Sequence, residues 1–260
     1  GEHFISYILD IHTGSKRKIP FPIYDIHPSG KYAIAINYER YYFARDGYSY
    51  DYFGNKFWDE KIHPKDGVFK VDLKTGNYKL LISLKDIVQF EKNHLDENKY
   101  HYLEILKWSP DGSKFIFFHR WNDKNKNFKT RLFSYDIKSK KLFLFPLVDT
   151  ISHFNWKNNN EFTVWASVPT LSTSIVRNIN NNLLYKKLLR PFYQLIKTKF
   201  LKKQLSHKLP NTHFLNFHYN SEEYNILGSG QCFEDGHNTW TKNQRYMLVD
   251  TYQNEQGYRQ

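Results

Sequence analysis

Apolar and polar positions alternate along most of this chain in short runs, and the runs come in pairs separated by a polar turn. Four segments align: IYDIHPSGKYAIAI (23–36), ILKWSPDGSKFIFF (105–118), HFNWKNNNEFTVWA (153–166) and HNTWTKNQRYMLVD (237–250). Each predicts a strand, a turn built on Asp, Gly or Asn because these tolerate positive φ, and a second strand with alternating apolar residues. A second pattern falls between them in SYILDIHTGSKRKIPF (6–21), GVFKVDLKTGNYKLLI (67–82) and LFSYDIKSKKLFLFPL (132–147). It reads as strand, Asp-x-x-Thr/Ser-Gly/Lys turn, strand. One hairpin of each kind makes a four-stranded unit.

The unit recurs. Trp108 and Trp156 lie 48 residues apart, close to the about 40–45 residues of a propeller blade. The predicted fold is therefore an all-β propeller with about four blades visible. Each small sheet of a propeller buries both faces against its neighbours and leaves few exposed edges. A β-sandwich of eight or more strands would explain the strands but not the repeated SPDG-type turn. The two longer intervals carry insertions, a Tyr-rich loop at 39–66 and a basic segment at 167–215. Within the second, Leu184, Leu188, Leu189, Phe192, Leu195, Ile196 and Phe200 recur at helical spacing with lysines opposite, and Pro191 divides the stretch into two short helices. Residues 175–206 thus predict contact with an anionic membrane surface or an acidic polymer, or else a helix packed on the propeller side with solvated lysines.

Composition sharpens this reading. Aromatics make up 18% of the 260 residues, with 20 Tyr and 21 Phe, and flat rings favour pleated, half-buried surfaces. The net charge is +12, but nine basic residues and no acidic one fall between Glu161 and Glu222, which leaves only +3 for the rest. The basicity belongs to one segment, so a global nucleic-acid-binding face is not predicted. The single cysteine, Cys232, excludes a disulfide framework and fits a reducing, cytoplasmic compartment. No apolar run approaches the roughly 18 residues of a membrane-spanning helix. The chain enters on a strand and stops at GYRQ, and it reads as one propeller domain over 1–260 belonging to a longer protein. It has no P-loop, dinucleotide fingerprint, GxSxG elbow or CxxC pair.

The blade-tip residues carry a resemblance. FIFFHRW, TRLF, ISHFNW, DGHNTW and VDTYQNEQGYRQ, in that order, resemble the oligogalacturonate lyase family and its propeller relatives associated with bacterial polysaccharide genes. ARDGYSY (44–50) is similar to a loop of the same relatives. The likeness runs from about residue 5 to the end, interrupted at 167–215. It implies a seven-bladed propeller in full, with a manganese ion held mainly by histidines in a central cleft. A histidine and arginines there would assist β-elimination on a uronate. Taking the proton α to a carboxylate builds negative charge on that group, which a metal or arginines must stabilise.

Residue by residue, the resemblance implies His119 as acid or base and Arg131 as a carboxylate partner. Arg45 and Arg120, with Tyr48 and Tyr50 as a sugar-stacking platform, would bind substrate. His153 and His237, each three positions before a blade tryptophan, would hold the divalent metal (Mn), with Gln231 as an oxygen ligand. The same register holds Ile105 before Trp108, where the lyases have histidine, and Glu104 is offset by one place onto the other side of an alternating strand. Each histidine also has a structural reading, with its ring nitrogens bonded to turn or strand groups. The arginines could equally pair with aspartates or stack on aromatics. Two functions follow: a lyase-like enzyme acting on an anionic oligosaccharide or polysaccharide, or a non-catalytic glycan-binding or assembly propeller. A propeller used only for protein contact is the third.

Overall fold

The computed structural model describes residues 4–45, 47–50, 60–91, 98–122, 128–147, 150–168, 212–232 and 234–251. The chain is all-β, built from the four-stranded antiparallel sheets of a β-propeller. It divides into two compact units, Gly1–Phe145 and Pro146–Gln260.

The first unit opens with the hairpin β1 (Ser6–Leu9) and β2 (Lys16–Ile19). One blade follows from β3 (Asp25–Ile26), β4 (Tyr32–Ala35), β5 (Gly67–Asp72) and β6 (Tyr78–Ser83), paired in that order. Helix α1 (Tyr38–Ala44) lies inside the stretch expected to be a Tyr-rich loop, and α2 (Leu84–Gln89) follows β6. Asn37 caps α1 by accepting from Glu39 and Arg40 N–H groups, and Ser83 caps α2 by accepting from Asp86. These caps let two short helices form, α1 in a run of mainly aromatic residues and α2 in LKDIVQ. The next blade is β7 (His101–Trp108), β8 (Lys114–Asn122), β9 (Phe128–Asp136) and β10 (Leu142–Leu144).

These two blades share one core. Ile34 and Val68 of one sheet pack with Leu106, Trp108, Phe117 and Phe133 of the other. Phe117 and Phe133 stack at 5.6 Å between centroids, the flat-ring packing that the composition predicts. The first strands of the two blades are also tied by polar groups. The Ile105 N–H donates to Tyr24 Oη at 2.9 Å, and the Trp108 N–H donates to Asp25 Oδ2 at 2.7 Å.

The second unit holds β11 (Ile151–Trp156), β12 (Glu161–Ser167), β13 (Thr212–His218) and β14 (Tyr224–Leu227) as a third blade, then the hairpin β15 (Asn238–Trp240) and β16 (Met247–Val249). Strand β13 starts at Thr212 and β12 runs to Ser167, so both ends of the expected 167–215 insertion are sheet. The basic stretch expected to be helical, 175–206, lies outside the described residues. Asn155 Nδ2 donates to the Asn238 carbonyl at 2.9 Å, joining β11 to β15.

All seven expected hairpins are present. In the outer ones, Asp10, Asp72 and Asp136 each accept the N–H three residues on, at 3.0, 2.7 and 2.7 Å. These backbone bonds hold each carboxyl below its ordinary range. Gly14, Gly76 and Lys140 then take positive φ at the same place in the three turns, which explains why Lys can stand where the other two have Gly only by accepting a strained backbone.

Candidate functional site

His153 and His237 come together. Their rings lie 4.2 Å apart, tilted by 55°. His153 sits on β11 where a β-bulge between Ile151 and Phe154 shifts the ladder, and its Nδ1 is 3.1 Å from Asp235 Oδ1 and 3.0 Å from Ser152 Oγ. His237 immediately precedes β15. Its backbone N–H donates to Asp250 Oδ1 at 2.6 Å, and its Nδ1 lies 3.0 and 3.1 Å from the two oxygens of the same carboxylate. The His237 backbone N–H, then its ring, hold the Asp250 carboxyl below its ordinary range, with the charge of His153 adding to this. Each imidazole therefore has its own carboxylate at Nδ1. That contact fixes the ring and directs Nε2 away from the carboxylate. The His237 side chain is 68% exposed and that of His153 17%, so the pair stands at a surface.

Gly236 is what allows this approach. A Cβ at that position would lie 1.5 Å from the Asp250 carbonyl oxygen. Gly236→Ala is expected to push the end of β16 away from His237 and cost about 1–3 kcal/mol. Loss of the downfield Nδ1 proton of His237 in NMR spectra checks this, and an unchanged imidazole signal would contradict it.

The other expected site residues lie in the first unit, in two separate clusters on opposite faces of β8. Arg45 and Arg120 converge on Glu104, which is fully buried. Arg45 Nη1 reaches Glu104 Oε1 at 2.6 Å and also contacts Oε2, and Arg120 Nη1 contacts Oε1. Burial opposes the Arg45 charge, but the Glu104 carboxylate outweighs it and raises the pKa; at the deeper Arg120 burial wins and lowers it. Tyr24, Tyr41 and Tyr102 surround the cluster, and burial, with Glu104 adding, raises all three phenols. The Arg45 guanidinium lies 3.6 Å from the centroid of the Tyr48 ring. Tyr48 and Tyr50 are exposed.

Glu104 overturns one sequence argument. Strict alternation would set it apart from the neighbouring register, but a bulge interrupts β7 between Glu104 and Lys107, with Ile105 at φ +48°. Two residues oppose one there, so the alternation rule does not carry across it. The same register position, Ile105 in β7 and His153 in β11, is bulged in both blades.

His119 and Arg131 form the second cluster. His119 is fully buried inside β8, with Nε2 3.0 Å from His101 Nδ1 and Nδ1 accepting from Arg131 Nε at 3.2 Å. With both ring nitrogens engaged in the interior, it has no position for a substrate proton. Arg131 Nη1 and Nη2 donate to the carbonyls of Phe90 and Ile87 at 2.8 and 2.6 Å, so both ends of its fork are engaged by backbone.

Among the described residues, no group of three or more His, Cys, Asp or Glu side chains is set to hold a metal ion. Ile105 occupies the third register position. Gln231 lies on an exposed turn after β14, where its backbone N–H donates to the Gly228 carbonyl at 2.9 Å, and no described hydrogen bond joins it to either histidine. The described residues do not fit a manganese centre.

No family model and no curated protein matches the chain. Among solved structures it is similar to the β-propeller domain of the Trilobed protease from Pyrococcus furiosus, with a TM-score of 0.46 and 11% identity over 97% of this chain and 57% of that one. It is also similar to Pyrococcus horikoshii acylaminoacyl peptidase, with a TM-score of 0.42 and 12% identity over 90% and 29%. The tricorn protease gives a TM-score of 0.40 and 11% identity over 64% and 13%. The chain thus spans between 13% and 57% of these proteins, and likenesses of this degree say nothing about activity.

Sequence reasoning found the two surface histidines through their shared register. It missed their aspartates, although Asp235 and Asp250 stand inside the same EDGHNTW…LVD stretch. It also missed His101, whose pairing with His119 depends on strand register across β7 and β8.

Proposed function

We propose that this propeller binds an oligosaccharide without cleaving it, at the surface formed by His153, His237, Asp235 and Asp250. The observation that carries this reading is the side-by-side pair of imidazoles, each held at Nδ1 by its own carboxylate. Such a set offers fixed ring nitrogens and carboxylate oxygens within one sugar's reach, and sugar hydroxyls are both donors and acceptors. The resemblance to oligogalacturonate lyases makes a uronate-containing chain the first ligand to test. Against turnover stands the use of the cationic groups: Arg45 and Arg120 are engaged by Glu104, and Arg131 by carbonyls. None of these three is supplied to a developing enolate charge.

A second reading, β-elimination, draws on the exposed Asp250–His237 pair. An imidazole held by a carboxylate at Nδ1 has the orientation of a general base. It would take the C5 proton of a uronate as the C4–O bond breaks, leaving a C4–C5 double bond. Calorimetric titration with galacturonate oligomers and with neutral oligomers, followed by ultraviolet absorbance of the mixtures, separates the two. Binding is expected, weakened about tenfold in His237→Ala from the loss of one hydrogen bond, with no unsaturated product. Product absorbance would establish the lyase reading, and absence of binding to both uronate and neutral oligomers would overturn the binding reading.

A further inference from the structure

We propose that the Arg131–His119–His101 chain is an acid-sensitive latch, which holds α2 against the β7–β10 blade and releases it when His119 takes up a proton. The geometry assigns every proton in the chain. Arg131 Nε can only donate, so His119 Nδ1 is the acceptor at 3.2 Å and its ring proton sits on Nε2. That proton is then donated to His101 Nδ1 at 3.0 Å. The rings stack at 5.1 Å with an interplanar angle of 11°, and both residues are fully buried.

The other end of the chain is the helix. Arg131 Nη1 and Nη2 cap the carbonyls of Phe90 and Ile87 at the last turn of α2, two of the groups a helix end leaves without an intrahelical partner. A proton added to His119 Nδ1 would point at Arg131 Nε–H, so two donors and two cations would face each other across 3.2 Å. His119 can escape only by separating from Arg131, and Arg131 carries the cap with it.

Among the described residues, the charged and titratable groups facing the ring oppose that proton in the closed form. From β9 it faces Arg131, and from β7 His101, both opposing a positive charge. Trp121 and Phe133 supply ring faces at 5.4 and 6.4 Å. Arg40 of α1 donates to the His101 carbonyl at 3.0 Å, and Glu91, beyond α2, acts on Arg131. Burial first, then Arg131 and His101, hold His119 well below the ordinary histidine range.

The sign follows. The opened form titrates near the ordinary value of about 6.5 and the closed form well below it, so between the two the opened form binds more protons. The latch is at full strength above about pH 6.5 and weakens as the pH falls towards the folded value. For one proton per opening, the opening equilibrium grows up to about tenfold per pH unit within that window.

Hydrogen exchange of the α2 amides (84–90) between about pH 7 and pH 5, corrected for the intrinsic pH dependence of exchange, tests this. The wild-type chain is expected to lose protection on acidification with that slope. His119→Gln keeps an amide oxygen for Arg131 and an N–H for His101 without the titrating ring, and is expected to flatten the slope. A flat wild-type profile, or the same slope in His119→Gln, would overturn the proposal. Should that variant not fold, imidazole 15N shifts of the wild type decide: the latch requires neutral His119 protonated at Nε2 at neutral pH, and a charged ring or the Nδ1–H form sinks it.

Discussion

Glu104→Gln is expected to lower the unfolding free energy by about 3–5 kcal/mol, the usual cost of removing one partner from a buried ion pair. The carboxylate is fully buried, and it is the charge on which Arg45 and Arg120 converge. The amide keeps the shape and one acceptor oxygen but leaves two guanidinium charges facing each other. Arg45 is 18% exposed at its side chain and can turn partly to water, whereas Arg120 is 4% exposed and cannot. The damage should therefore concentrate on Arg120. Adding Arg120→Met to Glu104→Gln removes the stranded cation and is expected to recover part of the loss. Urea unfolding of the two single variants and the double gives the coupling directly. Additive losses would show that Glu104 stabilises the blade by some route other than these arginines.

Glu104 also marks where the sequence stops being legible. The hairpins could be read because a turn and two alternating strands are local, and Asp, Gly and Asn announce the turns. The bulge in β7 is not announced: Ile105 is β-branched, the kind of residue least expected at φ +48°, and a bulge depends on the partner strand. Counted back from Trp108 without the bulge, Glu104 is set on the wrong face, and nothing local marks it as the partner of Arg45 and Arg120. The site in the second unit divides in the same way. His153 and His237 share a register before Trp156 and Trp240, so their proximity follows from the repeat. Their aspartates sit in loop and strand-end positions that no periodicity singles out. Strand β13 is not legible because 169–211 separates it from β12, and its first residues read as part of the insertion. His119 looked reactive because its strand ends in FFHRW. Only the pairing of β7, β8 and β9 shows that its neighbours are His101 and Arg131.

Gly112→Ala should cost about 2–5 kcal/mol, while Gly30→Ala, at the matching place one blade earlier, costs about 1–2. Both glycines close inner-hairpin turns with left-handed backbone, at φ +71° and +67°, so the backbone term is common to the two. Their surroundings differ. A Cβ on Gly30 meets nothing within 4 Å, but on Gly112 it would lie 2.0 Å from His27 Nε2 and 2.6 Å from two ring carbons. The ring cannot swing aside cheaply. His27 Nδ1 accepts the Ser29 N–H at 3.0 Å, so Nε2 carries the proton and donates to the Gly112 carbonyl at 3.1 Å. Tyr32 Oη lies 2.9 Å from the same nitrogen, and Trp108 packs edge-on at 4.9 Å. The turn of one blade is thereby keyed into the turn of the next by an imidazole, and the second turn must be a glycine to receive it. Removing the key tests the account: in a His27→Ala background, Gly112→Ala should cost no more than Gly30→Ala does in the wild type. If the full penalty persists there, the strain at Gly112 lies in its own backbone and the two blades are not keyed through His27.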